Sequence, residues 1–352
     1  MTHDVVMFAK KTLVVLGAGA AHEVGFPLGL ELRDRIRELA DSTFITRRDD
    51  DRERKVRLAL EHGDYEEEAF KLRDGLSGVK SIDDFIDMHS SDTRLARLAK
   101  VLIAAILLEA EQGCDISEDA EIFSFDKPST VDGSCYNELW HILKDGVRKE
   151  TVDGLFADVR IVSFNYERSL EWFLFNRIRN TFQISDRQAL DVLGTLQILR
   201  PYGGLGSLDT QHADRVPFAG GFSGHTVARC AEKIRTFSEG VADEELSAAV
   251  SHAVNESEIV VMLGLGFHET NLRLLRRTRA NVRRKVYATA YGFSEPNTIE
   301  IENRIGRLFV RESYDAHKNA PEHPRFREMF VEDMTCQKLL AHYQLPLSAS
   351  RL

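Results

Sequence analysis

The chain has 352 residues, 43% of them hydrophobic, which is enough to bury the core of one large domain or two ordinary ones. Its 46 basic and 56 acidic residues leave a formal charge of −10, which argues against a nucleic-acid-binding protein, although a local basic patch stays open. The longest apolar stretch, VLIAAILLEA from Val101, is too short to span a bilayer and reads as a buried helix.

In chain order, the first strand is expected at 12–16, ending at Gly17. Leu28, Leu32, Ile36 and Leu39 then recur at helical spacing. From about 40 to 158 strand–helix alternation lapses. DYEEEAFKLRDGL and RLARLAKVLIAAILLEAEQ favour helix, so this region reads as a helical insertion. RRDDDRERK, from Arg47, reads as a solvated charge run. Alternation resumes with strands at 159–164, 259–263 and 285–290, and a short one at 196–199. Helical patterns follow in YERSLEWFLFNRI, NLRLLRRTRANVR and PNTIEIENRIGRLF. A loop at NAPEHPRF and a final helix through MFVEDMTCQKLLAHY close the chain. The expectation is a Rossmann-like α/β domain over 1–310, with a mainly parallel sheet, helices on both faces and the insertion. Residues 311–352 should pack on it as a loop and helix.

Four cysteines, Cys114, Cys135, Cys230 and Cys336, form no C-x-x-C pair, so neither a zinc ribbon nor a redox motif is indicated. Twelve histidines include no H-E-x-x-H, and no metal is expected. Sparse cysteine and an N-terminus, MTHDVVMFAKK, without signal-peptide layout point to the cytoplasm.

Chemistry-bearing residues gather at strand ends. Gly17 and Gly19 follow the first strand, where glycine admits positive φ and close approach of a phosphate. Amides of Gly17, Ala18, Gly19 and Ala20 would then face a pyrophosphate. The dehydrogenase fingerprint wants a third glycine where His22 stands, and Gly25 comes too late, which weakens an oxidoreductase reading. A simple tight turn stays open. Asn165 follows the second strand and either contacts a ligand or caps the next helix. Glu167 would tie down Asn165 or a nearby amide, or complement the helix dipole. Gly264 and Gly266 would let a cofactor approach the later strand. Asn271 is a helix cap or a ribose contact, and His22, His225 and His268 are lesser ligand candidates. The run from Arg273 to Lys285, RLLRRTRANVRRK, reads as a solvated face, with a phosphate, nucleic-acid or acidic-partner site as the minority reading.

GAGAAHEVGFP, with its glycine turn and later Gly-x-Pro ending at Pro27, resembles the sirtuin nucleotide loop. IVSFNYE resembles the sirtuin strand that ends in Asn, here Asn165. VVMLGLGFHETN resembles the later strand and loop that hold the adenosine ribose, here Gly264, Gly266, His268 and Asn271. SIDDFI, 81–86, resembles a segment of the bacterial sirtuin-like proteins of antiphage defence. The chain lacks the four-cysteine zinc module of the deacetylases, and reads FPLG where they usually read Pro-Asp-Phe-Arg. The resemblance is therefore to the defence branch. It implies cleavage of the nicotinamide–ribose bond of NAD as substrate, with Asn165 positioning ribose and water. It also implies a silent effector, released through a homo-oligomer or a partner subunit such as an ATPase.

The resemblance further implies a His-Gly pair, and the matching stretch, LQILRPYGGLGSL, offers Tyr202-Gly203 instead. An unperturbed tyrosine has a pKa of roughly 10, a poor base at neutral pH. Three readings follow: Asn165 and oriented water suffice, another histidine such as His22 substitutes, or the domain binds NAD or ADP-ribose without cutting it.

Overall fold

A computed structural model describes residues 10–79, 81–116, 130–209, 212, 215–276, 284–310 and 328–348. Six strands, β1 (Thr12–Leu16), β2 (Val159–Ser163), β3 (Gln197–Leu199), β4 (Ile259–Leu263), β5 (Lys285–Thr289) and β6 (Met329–Glu332), form one parallel sheet in the order β3-β2-β1-β4-β5-β6. This is the strand order of the doubly wound dinucleotide-binding fold, and its direction of winding reverses between β1 and β4. β1 and β4 are buried at every residue, as strands covered on both faces must be.

The register brings the strand ends level. Leu16 lies opposite Ser163 on one side and Leu263 on the other, so the residues that follow all three strands emerge along one rim. Phe164 donates its N–H to the Leu16 carbonyl, and Gly17 donates to the Leu263 carbonyl.

The connection from β1 to β2 holds the expected helical insertion. Its longest element is the helix Thr93–Gly113, started by Asp92, whose carboxylate accepts from the Leu95 N–H, and buried along Leu98, Leu102, Ile106 and neighbouring residues. The helix Gly29–Ala40 buries Leu32, Ile36 and Leu39, while Leu28 is its exposed N-cap and lies outside the apolar stripe. The charge run from Arg47 enters the helix Asp51–Ala59; Arg47 pairs on the surface with Glu66, whereas Glu53 is buried and accepts from the Ser42 hydroxyl, so the run is not solvated throughout.

Several elements differ from expectation. β2, β3 and β5 each end or begin one residue short of the forecast runs. The forecast final helix is in fact two elements. Met329–Glu332 pairs with β5 from Val286↔Met329 to Thr289↔Glu332, and only Cys336–His342 is helix, capped by Thr335. Alternating burial along MFVE is the period of a strand, and an available sheet edge selects it. The C-terminal segment therefore extends the sheet as well as packing on the domain. The loop NAPEHPRF, the basic residues 277–283 and the N-terminal patch 1–9 lie outside the described residues.

Candidate functional site

The site is assembled where β1, β2 and β4 end. Gly17 starts a short helix, Ala18–His22, whose backbone packs directly on the turn after β4. A Cβ on Gly17 would lie 2.5 Å from the Gly264 carbonyl oxygen, and one on Gly19 would lie 2.7 Å from the Gly264 Cα. Gly264 has φ +64°, and a Cβ there would lie 2.4 Å from the Ala20 nitrogen. The glycines are thus required by backbone-to-backbone contact between two turns.

That contact changes the expected phosphate cradle. Gly17 donates to Leu263, Gly19 to Gly264 at 2.9 Å, and Ala20 back to Gly17 at 3.0 Å. Three of the four forecast amides are engaged inside the protein. Among the described residues the Ala18 N–H, on the half-buried first residue of the helix, makes no such bond.

Asn165 sits against this turn. Its side-chain N–H groups donate to the Gly17 carbonyl and to Glu167 Oε1, both at 3.1 Å. Both partners are acceptors, which fixes the amide orientation and leaves Oδ1 as the group it can offer a ligand. The backbone is held as firmly. The Asn165 N–H donates to Ser163 Oγ, and the Asn165 carbonyl accepts from Arg200 at 2.7 Å. Asn165 is not a helix cap. The helix Ser169–Phe182 begins four residues later, and Glu167 accepts the Ser169 N–H. Burial pushes the Glu167 carboxyl above its usual range, against the nearby Arg200 charge.

Tyr202 packs on the residues either side of Asn165, and its hydroxyl and the Asn165 amide have different hydrogen-bond partners. Its ring packs on those of Phe164 and Tyr166, with centroids 5.9 and 6.1 Å away. It is 2% exposed, and its hydroxyl donates to Asn271 Oδ1 at 2.6 Å. Burial, with the negative charge of Asp83 second, raises its pKa far above that of free tyrosine. Tyr202 is therefore no base here. Asn271 neither caps its helix, Glu269–Leu274, nor reaches outward with that oxygen.

The other candidates fall into place around this centre. Gly203, φ +69°, packs on the Lys233 carbonyl, which a Cβ would meet at 1.9 Å. His268 is half-buried with its ring over exposed Gly266, whose Cβ would lie 2.8 Å from Nε2. His22 is exposed at the end of the short helix, with Nδ1 3.0 Å from the Phe26 carbonyl oxygen; Pro27, buried, follows. His225 is exposed on the helix Gly224–Ala231, which packs on the insertion helices Asp51–Ala59 and Thr93–Gly113.

Sequence reasoning missed three groups. Asp83, on the insertion helix Ile82–Met88, accepts a hydrogen bond from the Tyr166 hydroxyl, and burial raises its pKa. Arg200, directly after β3, joins Asn165 to Glu171. Arg168 and Glu111 form a buried pair at 2.8 Å, and Arg168 also donates to carbonyls of the 206–217 loop. A cleft of about 540 Å³ opens beyond Arg200, with Arg168, Glu171, Lys233, Arg235 and the loop from Gly203 on its walls. Of the residues singled out by sequence, Gly203 alone lines it.

No family model, curated protein or solved structure matches this chain.

Proposed function

We propose that the chain binds NAD at the carboxyl rim of β1, β2 and β4 and hydrolyses its nicotinamide–ribose bond. One observation carries the reading. In a 3-2-1-4-5-6 sheet whose winding reverses between β1 and β4, Asn165, at the end of the neighbouring β2, is bonded to the glycine turn after β1 in an orientation that leaves Oδ1 for a ligand.

The chemistry suits such a group. The C1′–N bond breaks with its electron pair going to nicotinamide, which leaves neutral and needs no acid. A water adds at the cation-like C1′ and loses a proton to solvent. What the protein must supply is position. Asn165 Oδ1 accepts a hydrogen bond from a ribose hydroxyl or from the water, and the Ala18 N–H is available to a phosphate oxygen. Its biological role on this reading is NAD depletion in antiphage defence, in the cytoplasm, held silent by oligomerisation or by a partner subunit such as an ATPase.

A second reading is favoured by Tyr202. Its hydroxyl is buried on Asn271 where the resemblance implies a histidine base, which suits a module that binds NAD or ADP-ribose without cutting it. Nicotinamide release by the wild-type chain and Asn165→Ala, with ligand binding measured by calorimetry, decides between them. Release by wild type alone supports hydrolysis. Binding without release by the properly activated complex supports the sensor. Absence of both removes the NAD reading.

A further inference from the structure

Next to the short helix that follows the first glycine turn, three metal-ligating side chains from distant segments converge. Glu23 closes the helix Ala18–His22, Cys135 opens the helix Cys135–Leu143, and Cys336 opens the helix Cys336–His342. The two cysteine-bearing helices pack together. The two Sγ atoms and a Glu23 carboxylate oxygen all lie within 4.8 Å of one another. Both thiols are unbridged, with Cys135 1% and Cys336 4% exposed. The Ala20 carbonyl oxygen lies 3.5 Å from the Cys135 Sγ.

We propose that Glu23, Cys135 and Cys336 form a structural zinc site, with the Ala20 carbonyl or a water as fourth ligand. Zinc takes thiolate and carboxylate ligands in a tetrahedron of roughly 2.0–2.3 Å bonds, whose edges of about 3.5–4 Å fit three donors this close. The donor set selects a borderline-soft cation over magnesium or calcium. Charge also fits. Two thiolates and a carboxylate exceed the ion by one negative charge, and Glu23 already accepts N–H groups from Cys135 at 2.7 Å and Gln337 at 3.0 Å. Those bonds use one lone pair on each carboxylate oxygen and leave another for the ion. Zinc binding releases the two thiol protons to solvent and involves no redox step. The ion would pin the helix Cys336–His342 and the helix Cys135–Leu143 to the end of the short helix Ala18–His22. This inference does not depend on NAD chemistry.

The test uses the full chain, purified without chelator, and reads metal content by mass spectrometry. A cobalt(II) titration of the stripped protein supplies the second readout. The site predicts one zinc per chain, a thiolate-to-cobalt charge-transfer band, and a melting temperature that a chelator lowers and zinc restores. Cys135→Ser and Cys336→Ser should each weaken cobalt binding and lower the band at saturation by about half, with the double variant losing it; Glu23→Gln should weaken metal affinity by at least about tenfold, and Cys230→Ser should keep the metal. The wild-type readouts stand even where a cysteine variant fails to fold. Wild-type protein that retains no zinc and gives no band with cobalt overturns the proposal. So does a Cys135–Cys336 disulfide in protein alkylated without reduction.

Discussion

The side-chain amide of Asn165 donates to the carbonyl of Gly17 across 3.1 Å and so joins the end of β2 to the end of β1. Replacing it removes both this link and the free Oδ1. On the hydrolase reading, Asn165→Ala is expected to lower nicotinamide release by about 10²-fold or more, the loss that follows misplacement of a positioning group. Loss of the buried hydrogen bonds should cost about 1–3 kcal/mol in urea unfolding. Undiminished release from a folded variant would show that Asn165 is not the positioning group.

The contact between the glycine turns sets a second expectation. Gly264→Ala places a methyl against the Gly19 and Ala20 backbone at φ +64°, so neither side can yield by rotating a side chain. We expect a loss above about 2 kcal/mol and, on the NAD reading, loss of NAD binding as well. Gly29→Ala is the control, because a Cβ there meets nothing within 4 Å. It should be neutral or stabilising by about 0.5 kcal/mol. Equal melting temperatures for the two variants would contradict this account of Gly264.

Glu111 and Arg168 are buried together, and the arginine also holds the 206–217 loop. Glu111→Ala strands a buried guanidinium and should cost about 3–5 kcal/mol. The double variant Glu111→Leu, Arg168→Met should cost less than the sum of the two single changes, as a double-mutant cycle of unfolding free energies would read. Additive losses would mean that the pair is not coupled.

Glu167 supplies a pH signature. Burial raises its folded-state pKa above the usual carboxylate range. A raised acid contributes stability that is complete below its unfolded pKa and is lost as pH rises through the folded value. The stability of wild type relative to Glu167→Gln should therefore be greatest in acid and decline toward neutrality. Melting curves of both proteins across that range check the sign, and a flat or rising difference would refute it.

Tyr202→Phe removes one hydroxyl bonded to Asn271 and should cost about 0.5–1.5 kcal/mol. On the hydrolase reading the variant should keep the wild-type pH–rate profile, because a phenol held far above its ordinary pKa stays protonated. Disappearance of an alkaline limb in the variant would make Tyr202 a titrating participant.

Much of the rim was legible before any coordinates. Asn165, Gly17, Gly19 and Gly264 each follow an apolar run, and parallel strands deliver their carboxyl ends to one edge. Glu167 tied to Asn165 was among the sequence alternatives, and the structure gives that bond. The engagement of the Gly17, Gly19 and Ala20 amides was not legible. It depends on how closely two turns approach, and a glycine has the same letter whether it faces a ligand or another backbone. Asp83 lay inside the quoted SIDDFI, yet its partner Tyr166 is remote in sequence and only packing joins them.

By itself the sequence determined the alternation of strand and helix, the helical insertion and the glycine-rich strand ends, because hydrophobic period and backbone freedom are local properties. Tertiary structure alone decided the strand order, the conversion of MFVE from forecast helix to β6, and the amide orientation of Asn165. It also decided the meeting of Cys135, Cys336 and Glu23, whose spacing along the chain had argued against a metal. These are matters of register, burial and non-local hydrogen bonding, in which a residue's partner is chosen by the folded chain as a whole.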